Sequence, residues 1–293
     1  MSTKNKRGWI FLFALPCVIL FCIVYAIPFI MVMITSLCNY TLTQSPTFLG
    51  LDNFKTIFAD QDFRVSIINT LKWVVIQSTL HVLMGFIMAL ILRRKPKGWK
   101  FARVAYVIPN IIPTAATAVM YSLLLNPTFG VVKMLYEKLG IDTMQVVNLF
   151  GNSKYAFWTV TATWVFYSGF NMLIFLGEMG AISPDIYEAA MVDGATPAQA
   201  DRYITIPLMK SIFMFAFITD AISSFKIYTE PNIVTAGSGA APVDAQPVMN
   251  IITNNIKGGN FGSAAAAGWI LFVIIFIVSL AQLYFMRDKE GKR

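Results

Sequence analysis

The stretch from Ala264 to Met286 reads AAAAGWILFVIIFIVSLAQLYFM and contains no charged side chain. A helix that crosses the hydrocarbon core of a bilayer needs about 20 mostly apolar residues. This stretch meets that requirement, and no charge has to be buried with it. It therefore predicts a membrane-spanning helix and indicates that the chain is an integral membrane protein.

The composition supports the same class along the whole chain. Of the 293 residues, 57% are hydrophobic and 13% are charged, and the mean hydropathy is +0.64. Soluble domains carry about 25% charged residues. With five further apolar runs, the sequence predicts an all-α integral membrane protein that forms a single transmembrane domain, 1–293, with six transmembrane helices. The predicted helices are about 9–37, 67–92, 104–125, 155–176, 206–225 and 264–286.

The first apolar run differs from a secretory signal peptide. Although KNKR precedes it, its apolar part exceeds the length typical of a signal, about 7–15 residues, and no clear small-x-small cleavage site follows. We therefore interpret it as a helix. Prolines within the first and third runs indicate kinks, which membrane helices tolerate when neighbouring helices satisfy the freed carbonyls. These prolines are Pro16, Pro28, Pro109 and Pro113.

Lysine and arginine concentrate in alternate loops. The strongest cluster, RRKPKGWKFAR at 93–103, lies between the second and third predicted helices. Loops this short follow the positive-inside rule, so this cluster is predicted to be cytoplasmic. The formal net charge of +8 is therefore interpreted through membrane orientation, and no nucleic-acid partner is predicted. Both termini, and the loop between the fourth and fifth helices, are predicted to lie in the cytoplasm.

That cytoplasmic loop is unusually polar for this chain. Residues 183–208 read SPDIYEAAMVDGATPAQADRYITIPL. The initial Ser-Pro predicts a helix with Ser183 as its N-cap and proline at its first position, and Gly194 permits a turn. TPAQ at 196–199 repeats the start signal and adds a capping box. The loop is therefore predicted to form a helix–turn–helix at about 183–205, outside the lipid. A docking surface and a plain interfacial segment without a partner are both compatible with this pattern.

The same segment resembles the EAA loop in permease subunits of bacterial ATP-binding-cassette importers. The pattern of that family is E-A-A, three residues, G, nine residues, then I-x-L-P. The matching residues are Glu188, Ala189, Ala190, Gly194, Ile204 and Pro207, with Ile206 in place of the usual leucine. Three further segments resemble the carbohydrate-uptake branch, of the maltose and glycerol-phosphate permease type. They are FLGLDNFKTIF at 48–58, NPTFGVV at 126–132 and GFNMLIFLGEMGAISPDIYEAA at 169–190.

This resemblance implies a set of partners and a location. The loop is expected to dock onto a separate cytosolic ATPase through the matching residues and to transmit the motion of ATP binding. The resemblance also implies a second permease, usually a different chain, two ATPase subunits, an external solute-binding protein and a carbohydrate substrate, in the bacterial plasma (inner) membrane. ATP and Mg are expected on the ATPase, because this chain has no G-x-x-x-x-G-K-[ST] motif. We expect a non-catalytic subunit without a cofactor of its own.

Polar side chains within the predicted helices indicate where a substrate passes, because such groups are costly in lipid and usually face a cavity or a partner. A sugar needs hydrogen-bond partners for its hydroxyls and a flat ring against its C–H face. The resemblance raises the expectation of a sugar site at these positions. The alternative is that Asp220 bonds to a neighbouring helix and the aromatic residues only pack. The candidates are Asp220, Ser223 and Ser224 on the fifth helix, and Thr163, Tyr167, Phe170 and Asn171 on the fourth.

The remaining polar and sulfur-containing residues predict no catalytic or metal centre. His81, the single histidine, is interpreted as a hydrogen-bonded residue between helices, with a pathway role as the alternative. Cys17, Cys22 and Cys38 show no Cys-x-x-Cys spacing and are predicted to be packing residues, with no metal or disulfide framework. Glu178 is predicted to lie at the inner membrane interface.

Three predicted outer segments are long enough to contact a delivery protein. They are Cys38–Ser66, Asn126–Lys154 and Lys226–Ser263. VTAGSGAAPVDAQP at 234–247 resembles the family loop that meets the external solute-binding protein, while its composition alone indicates a flexible loop. GSAAAAG at 262–268 predicts close helix packing.

Other functions stay open at this level. Within the same family, the solute could be a glycerol-phosphate ester instead of a sugar. An ion-coupled secondary transporter would need its own ion or proton path, for which only Asp220 and His81 are candidates. A membrane-bound enzyme would need a catalytic cluster, and the sequence offers none.

Overall fold

The structure is a computed structural model that describes residues 3–140, 148–236 and 243–286. Most of the described chain is helical. The helices are α1 (Thr3–Phe21), α2 (Ile27–Ser36), α3 (Asp52–Ala59), α4 (Gln61–Arg93), α5 (Trp99–Ile111), α6 (Thr114–Leu124), α7 (Val131–Lys138), α8 (Ala156–Trp164), α9 (Gly169–Ala181), α10 (Pro184–Val192), α11 (Pro197–Ala200), α12 (Ile206–Leu208), α13 (Lys210–Phe225), α14 (Thr229–Ala236), α15 (Val248–Lys257) and α16 (Phe261–Met286). The strands are β1 (Cys38–Thr41) and β2 (Gln44–Phe48).

Four helical segments of the described residues are long and apolar enough to cross a membrane. They are Leu12–Ser36, Gln61–Arg93, Ala156–Ala181 and Phe261–Tyr284. Two bent pairs raise the number to six if each pair is one span: α5 with α6, bent by 93°, and Pro197–Leu208 with α13, bent by 65°. The chain is therefore a multi-pass membrane protein. Each predicted run overlaps one of these segments, and the count of six stays a prediction.

Prolines account for irregularities in the first and third runs. In the first, a π-helical turn at Cys22–Ala26 joins α1 to α2. Pro28 lies in the first turn of α2, and its ring crowds the carbonyl four residues earlier, which a wider turn accommodates. In the third, Ile112 is extended because it precedes Pro113. The chain therefore bends there, whereas Pro109 lies inside α5.

The fourth and fifth predicted helices need correction in their bounds. The fourth is two helices, α8 and α9, with a turn at 165–168, and α9 continues beyond the predicted end at 176. Its less apolar end, GEMGA, stays helical because the chain meets a stop signal only near the Ser-Pro pair at 183–184. The fifth begins earlier than predicted, in a π-helical turn at Asp201–Thr205, and breaks at Met209 before α13.

The prediction of an all-α protein misses a small antiparallel hairpin, in which β1 pairs with β2. The side-chain amide of Asn53, in α3, donates to the carbonyls of Ser36 and Cys38 at 2.9 and 2.8 Å. A Cβ on Gly262 would collide with the Cys38 carbonyl, so glycine permits a close approach here. These contacts depend on residues far apart in the sequence, and the hairpin has no strong periodic signal of its own.

The described chain divides into two compact units. One holds the chain up to Phe63 together with Ile251–Val273, and the other holds Arg64–Asn250 with the chain from Ile274. In the first unit, Ala264–Ala267 of α16 are buried, which fits a small-residue packing face.

The second unit has two buried apolar clusters along α4. In one, Phe86, Phe175 and Phe213 join α4, α9 and α13, with ring centroids 4.7–5.5 Å apart. In the other, Trp73 of α4 stacks on Phe157 of α8 at 5.0 Å. Aromatic pairs of this kind contribute about 0.5–1.5 kcal/mol beyond their buried area. The clusters fix α4 against the helices that carry the candidate site.

Two of the cysteines do not pack in the interior. Cys17 and Cys22 are exposed, whereas Cys38 is partly buried in β1. Within the described chain, the predicted packing role is therefore not met at Cys17 and Cys22. In a membrane-spanning helix an apolar side chain does not need an interior position, because lipid tails are as apolar as the interior.

Candidate functional site

A cavity of about 460 Å³ lies within the second unit, among α4, α5, α8, α9, α13 and α14. Most of the predicted substrate-path residues line it. These are Tyr167, Phe170, Asn171, Asp220, Ser223 and Ser224. Thr163 does not: its side chain is buried outside the cavity lining, and its hydroxyl donates to the carbonyl of Val160 at 2.7 Å. The structure therefore brings together all of the predicted set except Thr163.

Asp220 has both a structural partner and a place in the cavity wall. The side-chain amide of Asn171 donates to Asp220 Oδ2 at 2.6 Å and so links α9 to α13. Within the described chain, the other carboxylate oxygen of Asp220 has no hydrogen-bond partner. A carboxylate oxygen accepts hydrogen bonds from hydroxyl groups, so this atom can bind a polyhydroxylated solute.

The two predicted serines differ in what their hydroxyls can do. Ser224 is buried, and its hydroxyl donates to the backbone carbonyl of Asp220 at 2.8 Å. Ser223 is exposed. Ser223 is therefore the better placed of the two to contact a solute, whereas Ser224 stabilises the helix that carries the carboxylate.

The turn between α8 and α9 places Tyr167 in the cavity wall. The Asn110 side chain, from α5, donates to the Tyr167 carbonyl at 2.8 Å and accepts from the Gly169 amide at 3.1 Å. A Cβ on Gly169 would lie 2.6 Å from Asn110 Oδ1, so glycine permits this close contact. The Tyr167 hydroxyl hydrogen-bonds to the Thr117 hydroxyl of α6. Hydrogen bonds at the backbone carbonyl and at the hydroxyl of Tyr167 therefore fix the position of its aromatic ring.

Several lining residues were not predicted as substrate contacts. Gln77 and His81 of α4 and Trp164 of α8 line the cavity. His81 Nε2 lies 2.8 Å from the Trp164 carbonyl, and because a carbonyl only accepts, this nitrogen carries the proton. Gln77 Oε1 and Trp164 Nε1 are buried and have no partner within the described residues. The sequence did offer one signal for these lining residues, because Gln77 and His81 are polar and lie one turn apart on an apolar helix.

Glu230 was also missed as a lining residue. It lies in the first turn of α14, a helix that packs along α6. Burial raises the pKa of the Glu230 carboxyl above its ordinary value. The sequence Thr-Glu-Pro at 229–231 is typical of a helix start and was the signal for this element. The predicted flexible loop at 234–247 lies partly outside the described residues, at 237–242.

The charged groups of the lining are two carboxylates and one ammonium group. They belong to Asp220, Glu230 and Lys226. With His81 neutral, the formal charge of the described lining is negative. An anionic solute would be repelled by two of the three charged groups, whereas an uncharged solute would not be repelled and could hydrogen-bond to them.

The segment 183–208 forms a second candidate site. Pro184 occupies the first position of α10, but Ser183 at the N-cap makes no side-chain cap bond, which differs from the prediction. Gly194 has φ +80°, in the left-handed region. The predicted capping box is present. The backbone amide of Gln199 donates to Thr196 Oγ1 at 3.3 Å, and the backbone amide of Thr196 donates to Gln199 Oε1 at 2.7 Å. Local signals therefore fix the turn and the second helix start.

The surface of this segment is mostly exposed. Among the residues predicted for coupling, Glu188, Ala189, Gly194 and Pro207 are exposed, and Ala190 and Ile204 are half-buried. Large apolar side chains are exposed beside them: Ile186, Met191, Val192 and Tyr203. A patch of exposed apolar side chains with polar neighbours is typical of a surface that another molecule covers.

Long apolar helices around a polar cavity, with an exposed helix–turn–helix, define a class of multi-pass membrane transport proteins. Residues 81–290 match the family described as "Binding-protein-dependent transport system inner membrane component". The chain belongs to this family. It is therefore a permease of ATP-binding-cassette transporters, which is a membrane transport subunit.

Individual relatives extend over nearly the whole chain. The chain is 30% identical over 280 residues to the probable ABC transporter permease protein YesP of Bacillus subtilis, covering 94% of this chain and 89% of the relative. It is 26% identical to the trehalose/maltose transport system permease protein MalF of Thermococcus litoralis, covering 84% and 82%. Its fold is similar to a chain in the crystal structure of a bacterial alginate ABC transporter in complex with an alginate pentasaccharide-bound periplasmic protein. That similarity has a TM-score of 0.82 at 23% identity and covers 97% and 96%.

Proposed function

We propose that this chain and a second, different permease form the path by which an uncharged sugar or oligosaccharide enters a bacterial cell. An external solute-binding protein delivers the solute, and two ATPase subunits bind ATP and Mg and drive the cycle. Residues 1–293 act as one permease domain with six spans and both termini in the cytoplasm. The observation that carries this proposal is the polar cavity beside Asp220.

The chemistry of the cavity suits a carbohydrate. Asp220 offers a carboxylate oxygen and Ser223 a hydroxyl, and both can bond to sugar hydroxyls. Phe170 and Tyr167 add aromatic rings, which pack against the C–H face of a pyranose. A volume of about 460 Å³ is within the range of small-molecule sites, about 300–1,000 Å³.

The charge of the lining favours an uncharged solute over a glycerol-phosphate ester. A phosphate site usually contains arginine side chains that donate to the phosphate oxygens. Here the charged lining residues within the described chain are Asp220, Glu230 and Lys226. A phosphate ester is therefore the less favoured substrate.

The helix–turn–helix supports coupling to the ATPase. Its predicted contact residues are Glu188, Ala189, Ala190, Gly194, Ile204 and Pro207. The capping box on its second short helix and the left-handed turn at Gly194 make it stiff, and a stiff element transmits displacement that a flexible one would absorb. The inward-facing and outward-facing forms are two states, so ATP and the delivered solute must bind them with different affinities to shift the balance.

Purification from native membranes tests the assembly. We expect the chain to be recovered with a second permease, two ATPase copies and the solute-binding protein, each identified by mass. In proteoliposomes the complex should import an uncharged oligosaccharide only with ATP, and should not import glycerol 3-phosphate. Import driven by an ion gradient, with this chain alone in the membrane, would show that the proposed function is wrong.

A further inference from the structure

Arg93, the last residue of α4, reaches three side chains of the helix–turn–helix segment. Its Nη1 donates to the Tyr187 hydroxyl at 2.9 Å and to the Thr205 hydroxyl at 3.0 Å. Its Nη2 donates to Asp201 Oδ1 at 2.7 Å. The guanidinium carbon also lies 4.7 Å from the centre of the Tyr187 ring. One side chain therefore connects α4 both to α10 and to the π-helical turn.

Two arginines share Asp201. Its second oxygen, Oδ2, accepts from Arg94 at 2.5 Å, and its side chain is only 11% exposed. Charge-assisted hydrogen bonds are stronger where water is scarce. Asp201 and Thr205 are also the buried first and last residues of the π-helical turn. We call these five residues, Arg93, Arg94, Tyr187, Asp201 and Thr205, the α4 clamp.

The chain itself attaches the segment to the membrane helices through irregular residues. Ile182, between α9 and α10, is extended, with φ −73° and ψ 126°. Met209, between α12 and α13, lies where the chain bends by 65°. Residues at the ends of elements are where hinge motions are absorbed. The α4 clamp is a third attachment of the segment, made by side chains. It connects the segment to α4, a long unbroken helix.

The α4 clamp does not use the residues predicted to dock on the ATPase. Glu188 follows Tyr187 directly but is exposed, and Gly194 is exposed as well. The segment therefore has one set of side chains bonded to α4 and another set accessible to a partner. This division separates holding the segment in place from contacting the ATPase.

We propose that Arg93, Tyr187 and Asp201 are positioning residues that make the helix–turn–helix segment and the end of α4 move as one rigid body. Motion imposed on the segment then reaches α4 directly, in addition to the helices that the chain joins to it. Arginine is needed at position 93 because a lysine ammonium is a point charge without the planar fork that bonds several oxygens together. The assumption that an ATPase imposes this motion rests on the proposed function.

Distance measurements between spin labels test the rigid body. In the assembled complex, with Cys17, Cys22 and Cys38 replaced by serine, one label is attached at Ile91→Cys on α4 and one at Asp185→Cys on α10. We expect a single narrow distance that is the same without nucleotide and with ATP trapped on the ATPase. Asp201→Asn and Arg93→Lys should broaden this distribution, and Tyr187→Phe should broaden it less because the ring remains.

Transport supplies the second measurement. Asp201→Asn should lower the amount of solute imported per ATP hydrolysed, while the complex stays assembled and still hydrolyses ATP. Arg103→Gln is the matched control, because it removes an exposed cationic side chain of α5 that is not part of the clamp. This control should leave both the distance and the transport ratio unchanged.

Each result decides the proposal. A wild-type distance that differs between the two nucleotide states, or an Asp201→Asn complex with wild-type distances and transport ratio, would overturn it. If Asp201→Asn does not fold, Tyr187→Phe with wild-type distances would also overturn it. Failure of the wild-type chain to bind any ATPase would instead refute the proposed function. The label distances of the wild type and of Asp201→Asn without nucleotide would still test the α4 clamp.

Discussion

At the scale of single residues, Asp220 combines two roles that the sequence left as alternatives. One oxygen accepts a hydrogen bond from Asn171 and fixes α13 to α9. The other has no partner in the described part of the chain, and the residue lines the cavity. A carboxylate has two oxygens with separate acceptor sites, so a structural bond does not exclude contact with a solute.

We expect Asp220→Asn to weaken uptake of the sugar by about tenfold or more. A hydrogen bond to a charged group contributes about 1.5–3 kcal/mol, and about 1.4 kcal/mol corresponds to a factor of ten. The asparagine keeps an oxygen for the Asn171 amide, so the fold should survive. The apparent KM in proteoliposomes measures the effect.

Thr163→Val is the matched control for this substitution. Thr163 was predicted from the same helical pattern but does not line the cavity. Its replacement keeps the shape and should leave the KM unchanged. Equal KM values for the wild type and Asp220→Asn would leave Asp220 with a structural role alone.

At the scale of elements, the helix–turn–helix is defined by local backbone chemistry. The capping box at Thr196 satisfies amides at the start of α11, and proline follows at the first helical position. Gly194 supplies the left-handed backbone between the two helices, with φ +80°. These features are short-range, which is why the same segment was recognisable without a tertiary structure.

Substitutions of Gly194 should act in a graded way. In Gly194→Ala the added methyl group meets no atom within 4 Å, so only the left-handed backbone is costly, by about 1–2 kcal/mol. Gly194→Pro should disrupt the turn, because proline fixes φ near about −65°. We expect ATP hydrolysis to persist while uptake falls slightly for alanine and is lost for proline. ATP hydrolysis and uptake are measured in the same proteoliposomes.

Gly180→Ala provides the control for the glycine series. Gly180 lies inside α9 with an ordinary helical backbone, and an added methyl group meets no atom within 4 Å. It should transport like the wild type, because alanine favours a helix more than glycine does. Normal transport by Gly194→Pro would contradict the idea of a stiff coupling element.

At the scale of the whole molecule, the orientation in the membrane follows from charge. The cluster RRKPKGWKFAR at 93–103 and the segment 183–208 are both predicted to be cytoplasmic. The direct contact of Arg93 and Arg94 with Asp201 places the start of the first segment and the π-helical turn of the second on the same side of the second unit. The geometry is therefore consistent with the predicted assignment of both loops to one side.

Cysteine labelling tests which side this is. In a chain with Cys17, Cys22 and Cys38 replaced by serine, we expect an impermeant maleimide to label Glu188→Cys in inside-out vesicles and not in intact cells. Lys55→Cys, exposed on α3 in a predicted outer segment, should show the reverse pattern. Labelling of Glu188→Cys from outside intact cells would invert the topology and refute coupling to a cytosolic ATPase.

The sequence by itself determined the membrane class, the positions of the apolar runs, the family pattern and the local geometry of the segment 183–208. Six of the seven residues that it predicted for the substrate path line the cavity. These features depend on the length of apolar runs, on helical spacing and on caps, all of which are set by residues close together along the chain.

Only the tertiary structure decided which of those residues meet. It excluded Thr163 from the cavity, added Gln77, Trp164 and Glu230, and joined α4 to the π-helical turn through Arg93. It also revealed the hairpin and the bend at Met209. The physical reason is that side-chain contacts between helices depend on the packing and rotation of elements far apart in sequence, whereas apolar length and capping do not.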